Sequence, residues 1–195
     1  MNDTTVLAGT PSSAAGARYR AVNTSLANKI GRTAWATCYW TLFRFSPRPL
    51  FGWRRWLLRC FGARIGPGTR IYGSARIWAP WNLVCEDHVA VGPGAEIYNA
   101  DRVTLRSHAV VSQGSYLCGA THDFEAADFP MIWAPIEVGR YAWVAARATV
   151  QMGVKVGDGA VLGLGALATR DLDPWTVYAG VPARAIRPRR LRYAE

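Results

Sequence analysis

From residue 65 to residue 173 an aliphatic side chain returns every sixth residue. The heads of these hexads are Ile65, Ile71 and Ile77, then Val91 and Ile97, then Leu105, Val111 and Leu117, and finally Val138, Val144, Val150, Val156 and Leu162. Thirteen of fifteen head positions are aliphatic, Cys85 and Ala168 being the other two. A period of six matches neither an amphipathic helix at 3.6 nor a lone alternating strand at 2, and it predicts a parallel β-helix built from hexapeptides. The position two before the next head is small or short, as in Thr69, Ala75, Val89, Ala95, Ala109, Ser115, Ala142, Ala148, Val154, Ala160 and Ala166. Head and small residue form an inward pair that fits a narrow prism.

Blocks beginning at Ile65, Cys85 and Leu105 each hold three hexads, with a two-residue insertion at the end of the third. Eighteen residues close one triangular coil, and the extra pair loops out at a corner. From Val138 to Ala168 the hexads run without insertions, which brings the all-β solenoid to about five coils over residues 63–173. Gly66, Gly92, Gly139, Gly157 and Gly163 follow their heads, where a side chain would crowd the bend or the next coil.

The flanks read differently. Residues 1–25 are a Ser/Thr/Ala/Gly-rich leader, expected to be disordered and without the apolar stretch of a signal peptide. In residues 26–62, aromatic residues from Trp35 to Phe61 alternate with Arg32, Arg44, Arg48, Arg54, Arg55 and Arg59. Two short helices broken near Ser46-Pro47 and Pro49 are predicted there, and the uncharged run Thr33 to Phe43 is about half a membrane span. Two roles suit this arm: capping the open end of the prism, and peripheral contact with an anionic membrane through tryptophans and arginines. Residues 174–195 form a C-terminal tail.

Composition narrows the function. The net charge of +10 is lopsided: residues 1–76 hold twelve basic residues and one acid, whereas residues 77–171 hold six basic and ten acidic residues. No reading helix, zinc finger or aromatic RNA-binding sheet accompanies that charge, so nucleic acid is not the expected partner. Cys38, Cys60, Cys85 and Cys118 show no paired framework, which points to a reduced, cytoplasmic compartment.

Between Leu117 and Val138 the hexads fail. The intervening segment, CGATHDFEAADFPMIWAPIE, must leave the prism in a loop over residues 118–136 and carries His122 beside Asp123. A long loop in a regular solenoid is a functional feature. His88 and His108, twenty residues apart at one hexad position, are expected instead to stack as corner residues.

The head–Gly–x–x–small–x pattern resembles the hexapeptide-repeat acyltransferases, and LCGATHD with RRWLLRCFGARIG is similar to their colanic acid biosynthesis acetyltransferase subgroup. The resemblance covers about residues 50–190 and implies a left-handed parallel β-helix, a homotrimer with sites between neighbouring prisms, and acetyl-CoA as donor. It implies His122 as general base in direct transfer to a sugar hydroxyl, with no metal required, for a glycan, nucleotide-sugar or lipid-linked sugar acceptor. An imidazole suits that task because its pKa lies near neutrality. By the same resemblance Trp143, Ala146 and Leu164 border the pantetheine arm, Thr169 and Arg170 approach the nucleotide, and Arg184 and Arg187 meet phosphates. Asn99, Asp101 and Asp123 are candidate acceptor contacts. Departures include Gly92 where galactoside enzymes carry an acceptor-binding Asn, and Ala146 where a Ser usually touches CoA. Two alternatives stand beside this reading: a non-catalytic β-helix scaffold, and a γ-type carbonic anhydrase, which would need three converging imidazoles.

Overall fold

A computed structural model describes residues 20–21 and 26–190. Because neighbouring side chains on a strand point to opposite sides, each short strand sends its aliphatic head inward and its flanking residue outward. Ile71, Val91, Val111, Val144 and Leu162 are fully buried, as are the small partners Ala75, Ala95, Ala109, Ala142 and Ala148.

Three parallel faces result. The first stacks Arg64–Ile65, Leu83–Cys85, Val103–Leu105, Ile136–Val138 and Lys155–Val156. The second stacks Arg70–Ile71, Ala90–Val91, Val110–Val111, Trp143–Val144, Val161–Leu162 and Thr176–Ala179. The third stacks Arg76–Ile77, Glu96–Tyr98, Tyr116–Cys118, Thr149–Gln151 and Leu167–Ala168. Five coils are thus complete; Leu172, bridged to Val156, begins a sixth on the first face, and the predicted tail continues it on the second. There Arg184–Pro188 folds back antiparallel on Thr176–Ala179 and closes the C-terminal edge.

Corners need a tight turn, and the chain meets that need with left-handed residues. At the corner between the first and second faces, Gly68, His88, His108, Tyr141, Gly159 and Trp175 all have positive φ. The His88 and His108 rings stack at 5.1 Å, and Tyr141 continues the column at 4.8 Å. These histidines are corner residues, and among the described residues no cluster of three ligating groups could hold a metal ion. Glycine after a head is steric: a Cβ on Gly139 would lie 2.6 Å from the Asp158 nitrogen of the next coil.

The carbonyls of the head residues point back to the preceding coil. Gly66 N–H donates to Cys85 O, Tyr72 N–H to Val91 O and Trp78 N–H to Ile97 O, so the matching carbonyls of the first coil face its N-terminal end. The first coil therefore leaves carbonyls without a strand partner, and such groups must be satisfied when buried. The arm satisfies them. Trp35 Nε1 donates to Ile77 O at 2.7 Å, Arg54 Nε to Ile71 O at 2.6 Å, Arg55 to Thr69 O at 3.0 Å and Arg59 Nε to Ile65 O at 3.0 Å.

Two helices make these contacts: α1, Leu26–Cys38, continued by a π-helical turn Tyr39–Phe43, and α2, Phe51–Cys60. Trp35, Tyr39 and Phe43 recur at helical spacing and enter the same core cluster as Ile65 and Ile71, with Leu57 and Leu58 from α2. Each such buried side chain contributes roughly 1.5–3 kcal/mol. Arg54 is fully buried, so this arginine serves the prism and not a lipid surface. Of the leader, Arg20–Ala21 form a strand against Met131–Trp133 and so depart from the expected disorder, while residues 1–19 and 22–25 lie outside the described residues.

Candidate active site

The insertions after the third face stack on one another, and the long loop is the third of them. In the first coil the insertion forms a turn, Pro80–Asn82, and Asn82 Nδ2 donates to Asn99 O and Ala100 O of the second. Asn99 was expected at an exposed turn as a sugar contact, and the structure corrects this. Its side chain is fully buried, accepting from Ala79 N–H at 2.9 Å and donating to Ala79 O at 2.6 Å. Both ends of the amide are engaged by the coil below, leaving no face for a hydroxyl. Asp101, on the same corner, is half-buried, and its carboxylate accepts from Arg102 N–H.

On the third coil Gly119 N–H donates to Tyr98 O, and a Cβ there would meet that oxygen at 2.5 Å. From this anchor the chain leaves the prism as a hairpin, Ala120–His122 against Met131–Trp133, pairing His122 with Met131. Asp123 holds the hairpin's tip: its N–H donates to Pro130 O, and its Oδ1 accepts from Glu125 N–H at 3.1 Å.

His122 ends this hairpin with its imidazole partly open to solvent. Its ring stacks on Phe129 at 4.5 Å between centroids and 8° between planes. Its Nδ1 lies 2.9 Å from Phe129 O. A carbonyl can only accept, so the proton of the neutral ring sits on Nδ1 and the lone pair is left on Nε2. Phe129 itself has φ +45°, a left-handed conformation uncommon outside glycine and of the kind that clusters at functional sites. Nothing in the hexad pattern marks Phe129, because its role arises from the hairpin bringing residues seven apart face to face.

The other candidates fall into separate groups. Trp143, Ala146 and Leu164 share one strip, from the second face to its corner with the third; Trp143 Nε1 donates to Ser112 Oγ at 2.8 Å, and Leu164 is 76% exposed. Ser112 is a polar group of this strip that no motif in the sequence marks. Gly92 lies on the same corner, three coils before Leu164. Thr169 and Arg170, both exposed, follow the last strand of the third face and so share the corner of His122. Arg184 and Arg187 are exposed on the final strand beyond the second face. One chain thus holds the His122 loop and the Trp143–Leu164 strip on different corners, with the width of the third face between them. Cys118 is half-buried and its thiol donates to Ala120 O at 3.3 Å, a packing role.

A prism of hexapeptide coils with a histidine hairpin at one corner defines a hexapeptide-repeat acetyltransferase, an acyl-CoA-dependent enzyme. The chain belongs to the colanic acid biosynthesis acetyltransferase family: it is 38% identical over 162 residues to the Escherichia coli K12 protein named "Putative colanic acid biosynthesis acetyltransferase WcaF", covering 83% of this chain and 89% of that one. The fold matches a hexapeptide-repeat acetyltransferase from Vibrio cholerae, solved with acetyl coenzyme A, at TM-score 0.78 and 18% identity over 85% of this chain and 91% of that one. It also matches a galactoside acetyltransferase solved with coenzyme A, at TM-score 0.77 and 21% identity over 86% and 84% of the two chains. These likenesses carry the left-handed coil. No family model matches the sequence.

Proposed function

We propose that this protein moves acetyl from acetyl-CoA to a sugar hydroxyl in the assembly of an exopolysaccharide or other cell-surface glycan, with His122 as general base. The observation that carries this reading is the hydrogen bond from His122 Nδ1 to Phe129 O, which leaves Nε2 as the basic nitrogen. The acceptor hydroxyl gives its proton to Nε2 as its oxygen attacks the thioester carbon. Collapse of the tetrahedral adduct breaks the C–S bond, and the proton passes from Nε2 to the leaving thiolate of CoA. Transfer in this reading is direct, which the packing contact of the Cys118 thiol with Ala120 O supports.

The working unit in this reading is a homotrimer. Head-to-tail packing of prisms around a threefold axis closes a ring and can set one corner of a chain against a different corner of the next. This would bring His122 to the Trp143–Leu164 strip of a neighbour. The arm suits peripheral contact with the inner membrane face. Trp40, Leu42, Phe45, Trp53 and Trp56 remain exposed, Trp53 stacks on Trp56 at 5.1 Å, and residues 26–62 contain no acid. No helix among the described residues is long and apolar enough to cross a membrane. Co-sedimentation with phosphatidylglycerol vesicles, lost in a Trp53→Gln, Trp56→Gln protein, is the expected result; equal binding by both proteins would remove the membrane role.

The test of the function is calorimetric titration with CoA and acetyl-CoA, followed by transfer assays on wild type and His122→Ala. One donor site per chain is expected, with transfer lost and donor affinity kept in the variant. Unchanged transfer by His122→Ala would overturn the catalytic assignment, and absence of donor binding would favour a non-catalytic scaffold.

A further inference from the structure

Between α1 and the outer side of the third face lies a cavity of about 500 Å³. It exists because α1 has two working faces. Trp35, Tyr39 and Phe43 turn into the prism, while Lys29, Arg32, Thr33, Ala36 and Trp40 recur at i, i+3, i+4, i+7 and i+11 and overhang the strands of the first two coils. The opposite wall is made by the outward residues that flank Ile77 and Ile97, namely Arg76, Trp78 and Glu96.

The chemistry of this cavity is cationic and aromatic. The Arg32 guanidinium lies over the Trp78 ring at 4.6 Å from its centroid, and its Nε is buried with no hydrogen-bond partner. Neither Lys29 nor Arg32 forms an ion pair among the described residues. Arg76 meets Glu96 at 3.9 Å with both side chains substantially exposed, a pair that ties up little of its charge. A buried donor without an acceptor and two unpaired cations call for an anion with several oxygens, for which guanidinium groups are well matched. Trp40 and Trp78 offer flat apolar surfaces beside it.

The cavity also points along the molecule toward the site. Trp78 contacts Tyr98 edge to face at 5.2 Å, and Tyr98 is in register with Cys118. These residues form one outward row that climbs two coils, about 10 Å at ordinary strand spacing, to a residue four before His122. A molecule with its anionic group at Arg32 and its sugar along this row would present hydroxyls to the histidine hairpin.

We propose that this cavity binds the phosphate of the acceptor, so that the enzyme acts on a sugar linked through phosphate to a nucleoside or a lipid, in preference to a neutral sugar. The proposal rests on the acetyl-transfer reading for its sugar and on the cavity alone for its phosphate. The experiment is calorimetric titration of the full chain with CoA saturating, so that the donor's own phosphate contacts are filled. The probes are inorganic pyrophosphate, UDP-glucose, farnesyl-phosphoryl-glucose and methyl glucoside. Phosphate-bearing probes should bind, and a Lys29→Gln, Arg32→Gln protein should lose roughly tenfold or more of that affinity with CoA affinity and circular dichroism unchanged. Preference for UDP-glucose over the farnesyl compound identifies a nucleotide-sugar source, and the reverse a lipid-linked one. Failure of every phosphate probe to bind, or equal binding by wild type and variant, overturns the proposal. If wild type acetylates methyl glucoside as well as the phosphorylated sugars, the phosphate site falls and the acetyltransferase reading stands. Phosphate binding without transfer to any of the sugars keeps the phosphate site and overturns the acetyltransferase reading.

Discussion

The role proposed for His122 rests on a backbone oxygen. Phe129 O sets the tautomer of the neutral ring and the Phe129 ring sets its plane, so one hairpin presents Nε2, the nitrogen proposed as the base. Removing the proposed base in His122→Ala should lower kcat by about 10²–10⁴-fold, the usual worth of a positioned general base, with CoA affinity unchanged. Phe129→Ala keeps the carbonyl and loses the ring. Its kcat should fall by less, up to about 10²-fold for a misplaced group, again with donor affinity retained; a matching loss of CoA binding would show that the loop has collapsed. The sequence signalled His122 through the broken hexad spacing, but not Phe129, whose partner is chosen by the hairpin register. Asn99 was misplaced for a related reason: its partner Ala79 stands twenty residues earlier, and only stacking of two insertions turns a polar turn residue into a buried one.

At the scale of elements, the arm and the corner columns carry the stability. The arm's arginines read as a basic surface in sequence because their partners are main-chain carbonyls, which no side-chain pattern records. Arg54 donates to Ile71 O, Ser46 O, Ser46 Oγ, Pro47 O and Arg48 O from a fully buried position. Arg54→Leu should therefore destabilise by on the order of 3 kcal/mol, since several buried acceptors lose their donor together. Arg44→Leu, on an arginine for which the structure gives no carbonyl of the first coil, should change stability little. Urea unfolding of the two variants checks the contrast. A second element-scale effect lies outside the first face, where Glu86 accepts from Arg106 at 2.8 Å and from the Ser107 N–H at 2.9 Å. The Arg106 hydrogen bond, aided by Ser107, holds the Glu86 carboxyl down to about 2. A depressed pKa contributes stability that is present above the unfolded value and lost as pH falls toward the folded one. Wild type should lose stability from about pH 4.5 to about pH 2 more steeply than Glu86→Gln, as read by thermal unfolding across that window.

For the whole molecule, the hexad period alone was enough to read the prism, because every coil repeats the same inward and outward choice. The period also predicted where the loop departs and that His88 and His108 would stack. It could not say which corners meet, since that depends on how prisms pack. The His122 hairpin and the Trp143–Leu164 strip stand on different corners of one chain, so the proposed trimer makes a definite prediction about sharing. Two proteins expected to be inactive can be mixed before assembly: His122→Ala, without the proposed base, and Ala146→Trp, with the proposed donor strip blocked. If each site takes its histidine from one chain and its strip from the next, about one quarter of the sites in a random equal mixture combine two intact halves and regain activity. If one chain supplies both, every site keeps a defect and the mixture stays inactive. Activity of the mixed trimers, set against each variant assembled alone, decides whether the corners belong to neighbours or to a single prism.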